Sequence, residues 1–352
     1  MDESKAGKTR RVKLDYPFEE QPQRGQTIDV APGVKWISMD LPFAGLRWIN
    51  LWLIEEDDGY ALVDTGMNLK QTKQEWEALF EGPLKGKRLT RILITHMHPD
   101  HVGLAGWLCE RFGIDMWMSR LEYVSCRMLV GDTGRAAPED TVDFFRKAGW
   151  DDEVLDLLRK RYGSFGKGVY NLPSRFVRMS DGDVIRIGKQ DWRVITGSGH
   201  SPEHSCLYND ELKLLISGDQ LLPRISSNVS VHPTEPEADP LSDWLESCEK
   251  LIRETDPDVL TLPAHNKVFY GAHKRLQALI DGHERSLDRL EAHLEEPRRA
   301  LDCFVSLFGR QVGAEDMYSA TGEALAHLNW LRFKGRATRE LRDGVYLYSR
   351  SS

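Results

Sequence analysis

Residues 91–101 read RILITHMHPDH. Arg91–Thr95 is a short apolar run of strand type, and it leads without a break into three histidines and an aspartate. At the end of a strand, residues i and i+2 point the same way, so His96 and His98 can share one ion. Pro99 then turns the chain, and Asp100 and His101 can face a second ion beside the first. Imidazole and carboxylate suit a borderline cation such as Zn²⁺. The bland alternative is a histidine-rich surface loop. So many donors directly after a buried strand favour metal binding.

Two adjacent cations need about six or seven protein ligands, so more must come from elsewhere in the chain. Three further residues stand where a strand hands over to a loop, which is where functional side chains gather. His200 follows the strand Trp192–Thr196 and a Gly-Ser-Gly turn. Asp219 follows Leu214–Ser217 in SGDQ, and His265 follows Val259–Leu262 in LPAH.

The rest of the chain reads as alternating strands and helices. Strands are expected at Val34–Met39, Ile49–Ile54, Tyr60–Val63, Asp183–Ile187 and Ser205–Tyr208, and helices at Leu69–Phe80, Leu241–Glu254 and Gly271–Leu294. Asp239-Pro240 is an N-cap followed by a first-turn proline. Residues 120–172 are different, with amphipathic helical pieces broken by glycine-rich segments. The end of the chain reads as a helix (Gly322–Phe333) and a hairpin turning at Asp343-Gly344. The expected division is therefore a loose tail over 1–28, a catalytic domain over 29–295 with a helical insertion at about 120–172, and a small winged-helix-like module over 296–352.

Composition narrows the class. The 352 residues carry 47 Lys+Arg against 55 Asp+Glu, a net charge of −8, and 40% are hydrophobic. That is enough apolar surface for a folded core. No 18-residue apolar run suggests a membrane span, and the polar start has no secretory core. Five scattered cysteines without CxxC suit reduced thiols, so a cytoplasmic protein is expected. The acidic balance argues against bulk nucleic-acid binding.

The ordered set VDTG (63–66), THMHPDH (95–101), GHSPEHS (199–205), SGD (217–219) and PAH (263–265) resembles the metallo-β-lactamase-fold superfamily over roughly residues 30–285. The C-terminal module is similar to that of its LACTB-like group. A glyoxalase II-like end would be helical. The resemblance implies an α/β fold, a four-layer αββα sandwich with the site at one edge between two sheets. It implies that His96, His98 and His200 hold the first metal, Asp100, His101 and His265 the second, and that Asp219 bridges them. Asp64 is implied as a supporting carboxylate and not a ligand. His204 is expected to orient a ligating histidine. Two departures stand out. Glu203 occupies a position where the family often has glycine, and the 99-residue step from His101 to His200 exceeds that of compact members. The insertion accounts for the excess and is expected to cover the site.

The expected function is that of a dinuclear metal-dependent hydrolase with two Zn²⁺, iron or manganese being compatible with the same donors. A metal-bound hydroxide would attack an ester, thioester or lactone carbonyl, and Asp100 would pass a proton to the leaving group. Tyr123, Tyr170, Arg224, Asn228 and His273 are candidate substrate contacts. The remaining histidines read as surface or core residues. The expected partner is a small-molecule substrate, with no membrane and no nucleic acid, and the wing packs on the catalytic domain or on a second copy in a homodimer. The alternative is an endoribonuclease acting on single-stranded RNA, drawn from six basic against two acidic residues over 332–350.

Overall fold

A computed structural model describes residues 12–43 and 45–351. Two sheets lie face to face. The first has seven strands in sequence order: β1 (Ile28–Ala31), β2 (Val34–Asp40), β3 (Trp48–Glu56), β4 (Gly59–Val63), β5 (Arg88–Leu93), β6 (Met116–Met118) and β7 (Val177–Arg178). The second comprises β8 (Val184–Ile187), β9 (Gln190–Gly197), β10 (His204–Asn209), β11 (Leu214–Gly218), β12 (Leu260–Pro263) and β13 (Phe269–Tyr270), again in sequence order across the sheet.

Period-2 alternation explains why these strands read as unbroken apolar runs. In β2 and β3, Trp36, Trp52 and Ile54 face the second sheet. Ile37, Met39, Leu51 and Leu53 face outward onto helices. In the second sheet Trp192, Val194, Leu207 and Ile216 point inward, while Ile195, Cys206, Tyr208 and Leu215 point outward. Both outer faces are covered, which makes the αββα sandwich. Helices α1 (Lys70–Glu81), α2 (Pro99–Val102), α3 (Ala105–Phe112) and α4 (Arg120–Gly131) lie on the side of the first sheet. Two more, α5 (Glu139–Ala148) and α6 (Asp152–Arg161), build their own small core around Phe145, Trp150 and Leu155. Helices α7 (Pro240–Glu254), α8 (Ala272–His293), α9 (Phe304–Phe308) and α10 (Met317–Phe333) pack on the second sheet. The hairpin β14 (Ala337–Arg342) and β15 (Val345–Arg350) closes the chain.

Two expectations of domain organisation change. Residues 12–27, read as part of a loose tail, lie on the sandwich. Tyr270 N donates to Asp15 O at 2.8 Å, and Phe18 packs edge-on against Trp36. The reason is the apolar alternation of Leu14, Tyr16 and Phe18 within a polar stretch. Residues 1–11 lie outside the described residues. The C-terminal module, in turn, shares its core with α7 and α8. Ala324, Leu325, Leu328 and Leu331 of α10 join the same apolar cluster, because that helix is apolar nearly all round.

The insertion is fastened in its middle to the C-terminal helix. Phe145 packs against Tyr318, and Trp150 Nε1 donates to Thr321 Oγ1 at 2.9 Å, tying α5 to α10. The basic residues of the wing are mostly paired: Arg332 and Arg339 with Glu237, Arg336 with Asp288 and Glu291, Arg350 with Glu291, and Arg342 with Glu340. All five cysteines are free and buried. Among the described residues, no helix is long and apolar enough to cross a membrane.

Candidate metal centre

Strands β4, β5, β9, β11 and β12 end at one edge of the sandwich. Asp64, the His96–His101 stretch, His200, Asp219 and His265 all follow those ends. Two donor groups form there. Ligand atoms of His96, His98, His200 and Asp219 lie within 4.8 Å of one another, and so do those of Asp100, His101 and His265. Asp219 stands between them. Its Oδ2 is 3.5 Å from His200 Nε2 and 4.0 Å from His96 Nε2, while Oδ1 is 3.4 Å from His265 Nε2 and 3.7 Å from His101 Nε2. Asp100 Oδ2 is 3.3 Å from His265 Nε2.

Four of the five rings are turned toward the centre by a bond on the far side, as metal-ligating histidines usually are. His101 Nδ1 donates to Asp64 Oδ2 at 2.7 Å, His200 Nδ1 to Asn228 O at 2.8 Å and His265 Nδ1 to Trp48 O at 2.9 Å. His96 Nδ1 lies 3.1 Å from Thr95 Oγ1. The opposite nitrogens of His101, His200 and His265 and Asp219 Oδ1 are buried with no hydrogen-bond partner among the described residues. Buried polar atoms are rarely left so. Convergent orphan donors of this kind fit bound metal.

The electrostatics agree. Burial opposes ionisation of Asp100, but His101 and His265 hold its carboxyl down to about 2. Burial opposes ionisation of Asp219 too, and His265 and His101 outweigh it, so its carboxyl falls well below the usual range. Burial lowers His98 to about 3 and drives His96 well below its ordinary value. Facing carboxylates instead raise His101 and His265, against the effect of burial. The set therefore offers ionised carboxylates and, at His96 and His98, imidazoles kept neutral, the forms that bind cations.

Supporting groups are as ordered as the donors. Asp64 has a left-handed φ of 59°, tolerable for a short polar residue, and it also accepts from Thr95 N and Oγ1, both at 2.8 Å. His204 is no part of either donor group. Its Nε2 accepts from Asp219 N at 3.1 Å, and its ring stacks on His96. At Gly218 a Cβ would meet His204 Nε2 at 2.5 Å, so only glycine lets the strand end this close.

The other candidate residues divide. Arg224 lines a cleft of about 270 Å³ with Arg47, Trp48, His265 and Asn266. Asn228 contributes its main-chain carbonyl. Tyr123 is turned away: its hydroxyl donates to Pro173 O and its ring stacks on Phe176. Tyr170 bonds Glu110 at the surface. His273 pairs with Thr255 and faces a separate cleft with Lys13 and Asp15. Loop proximity in sequence did not carry these three to the metal edge.

Glu122 was not anticipated from the sequence. It is fully buried in the first turn of α4 and accepts from Met97 N at 2.8 Å and Glu203 N at 2.7 Å. One carboxylate thus ties both histidine loops to the insertion. The Glu203 departure has its reason here, since Glu203 Oε2 accepts from Leu121 N at the start of α4. An acidic residue in a first helical turn was the available signal, but the same signal marks ordinary helix starts.

The family model for the metallo-beta-lactamase superfamily matches residues 45–265, which holds every donor named above. The chain belongs to the metallo-β-lactamase superfamily. A second model, the metallo-beta-lactamase-like C-terminal domain, matches residues 287–351 and so begins inside α8. The chain is similar to a solved beta-lactamase domain protein from Burkholderia ambifaria, at 41% identity and TM-score 0.88 over 96% of this chain and 98% of that one. It is also similar to a solved metallo-beta-lactamase family protein from Thermus thermophilus, at 27% identity and TM-score 0.77 over 92% of this chain and 100% of that one. Among curated proteins it resembles the acyl-coenzyme A thioesterase MBLAC2 of Bos taurus, 25% identical over 67% of this chain and 79% of the relative.

Proposed function

We propose that this superfamily hydrolase is dinuclear and cleaves carbonyl esters, acyl thioesters foremost, with lactones and oxygen esters as the neighbouring classes. The observation that carries the reading is Asp219, whose two oxygens face two separate histidine groups. Two Zn²⁺ ions held there would lower the pKa of a shared water to about 7 and polarise the substrate carbonyl. His96, His98 and His200 would hold one ion and Asp100, His101 and His265 the other.

Asp100 is the group assigned to carry a proton toward the leaving atom. A carboxyl held down to about 2 is almost wholly ionised at neutral pH and has little proton to give, so the leaving group must depart well by itself. A thiolate does, since a free thiol ionises near pH ~8.5, whereas an amine or alkoxide needs a donor that still holds its proton. The name of the MBLAC2 relative supports the same class. So does the cleft beside His265, where Arg47 and Arg224 suit an anionic end on the thiol carrier. No observation favours RNA, because the wing arginines are engaged in ion pairs.

The test is a hydrolysis panel on zinc-loaded protein: acyl-coenzyme A thioesters, aryl esters, homoserine lactones, a β-lactam and single-stranded RNA. Turnover of thioesters above the rest, abolished in His98→Ala, is expected. Turnover of RNA alone, or thioester cleavage that survives His98→Ala, overturns the reading.

A further inference from the structure

The acceptor that orients His200 belongs to an irregular segment. His200 Nδ1 donates to the Asn228 carbonyl, so the aim of its Nε2 depends on where Asn228 sits. Between β11 and α7 the chain forms neither helix nor strand, and sheet hydrogen bonds therefore do not hold that carbonyl. Ser227 Oγ donates to Asp219 O on one side of it. The anchors of Asn228 itself come from α10 of the C-terminal domain. Asn228 Nδ2 donates to Glu323 Oε2 at 3.0 Å and to Ser319 O at 3.3 Å. Ser230 Oγ bonds Asn228 Oδ1 and lies 3.3 Å from Ser319 O. Val231 N donates to Gly322 O at 3.0 Å. The approach is close enough that a Cβ at Gly322 would meet Ser230 Oγ at 2.6 Å and Ser230 Cβ at 2.7 Å.

We infer that the C-terminal domain completes the metal centre, with Glu323 acting through Asn228 as a positioning residue that turns His200 toward its cation. The inference rests on the reading of His200 as a metal ligand. It gives the domain a task other than nucleic-acid binding. It also accounts for a half-buried carboxylate whose one side-chain hydrogen bond among the described residues is to Asn228. Burial pushes the Glu323 carboxyl up to about 7.

The test uses the full chain and reads metal binding directly. Metal content, chelator competition for zinc and the visible spectrum of the cobalt-substituted protein are compared for wild type, His200→Ala, Glu323→Ala, Glu323→Gln and Asn228→Ala. Glu323→Ala should weaken one of the two metals about 10–100-fold, the usual cost of removing a group that orients a ligand. Its cobalt spectrum should change, and KM should be nearly unchanged. Glu323→Gln keeps an oxygen facing Asn228 and should restore affinity. A merely structural glutamate would lower the melting temperature of the metal-free protein and leave affinity per folded chain intact, and that outcome overturns the inference. If Glu323→Ala does not fold, Asn228→Ala decides, since its main-chain carbonyl remains but its anchor is lost. Wild-type affinity in that variant also overturns it. Should His200→Ala keep both metals, the metal-centre reading itself falls; should it lose one while Asn228→Ala and Glu323→Ala keep both, only this inference does.

Discussion

Asp64 Oδ2 accepts the Nδ1 proton of His101 at 2.7 Å, with both side chains buried and Asp64 held in a left-handed backbone conformation. The same carboxylate takes both the amide and the hydroxyl of Thr95. One residue thus fixes the tautomer of a donor and the path of the loop that presents His96 and His98.

Asp64→Asn leaves one acceptor oxygen where Asp64 uses two, so an NH2 donor faces either the His101 N–H or the Thr95 amide. The variant should fold but hold the second metal about 10–100-fold more weakly. Metal analysis after dialysis against a chelator checks this, and full retention of two metals would refute the role.

Glu122→Ala leaves Met97 N and Glu203 N buried without an acceptor. Each unsatisfied group costs about 1–3 kcal/mol, so stability should fall by at least about 2 kcal/mol. Urea unfolding of the metal-free protein measures the loss. Activity should fall further than stability does, because both histidine loops lose their shared tie.

Arg224→Ala should raise KM about fivefold for a thioester with an anionic carrier, a part-solvated ion contact being worth about 1 kcal/mol. The kcat should hold, and a neutral thioester analogue should show no change. Equal effects on both substrates would remove Arg224 from substrate binding. Its loop is well placed for the contact, since Arg275 donates to Leu222 O and Ile225 O on either side of it, both at 2.8 Å.

His283 and His327 form a buried pair 3.2 Å apart between α8 and α10. Burial, helped by the neighbouring ring, pushes His283 down to about 3, and burial pushes His327 down to about 4. In the unfolded chain both ionise near ~6.5, so below that pH the unfolded state binds more protons than the native one. Their contribution is complete above about pH 6.5 and is lost as pH falls toward 4 and then 3. In the metal-free protein, His283→Leu should flatten the fall in unfolding free energy between pH 7 and pH 5. An unchanged slope would show that the pair does not titrate on unfolding.

Local pattern made much of this molecule legible. The strand–loop handovers at His200, Asp219 and His265 follow from short apolar runs that stop at glycine or proline, and the one at His96 from an apolar run that stops at the histidine itself. The helix over Leu241–Glu254 and the final hairpin follow from a cap and turn residues. The same cues misled where they were generic. Tyr123 and Tyr170 sit in the insertion, and His273 follows the His265 loop, yet packing turns each toward another partner. Sequence distance carries no information about side-chain direction once the chain has turned.

By itself the amino-acid sequence determined which donors exist, on which strand ends they stand and to which superfamily the chain belongs, because ligand chemistry and strand periodicity are local properties. Only the tertiary structure decided that Glu122 joins two loops 106 residues apart from Met97 to Glu203, and that a C-terminal helix steadies the carbonyl behind His200. Those contacts lie between residues distant along the chain, and their geometry exists only after both sheets and their covering helices have packed.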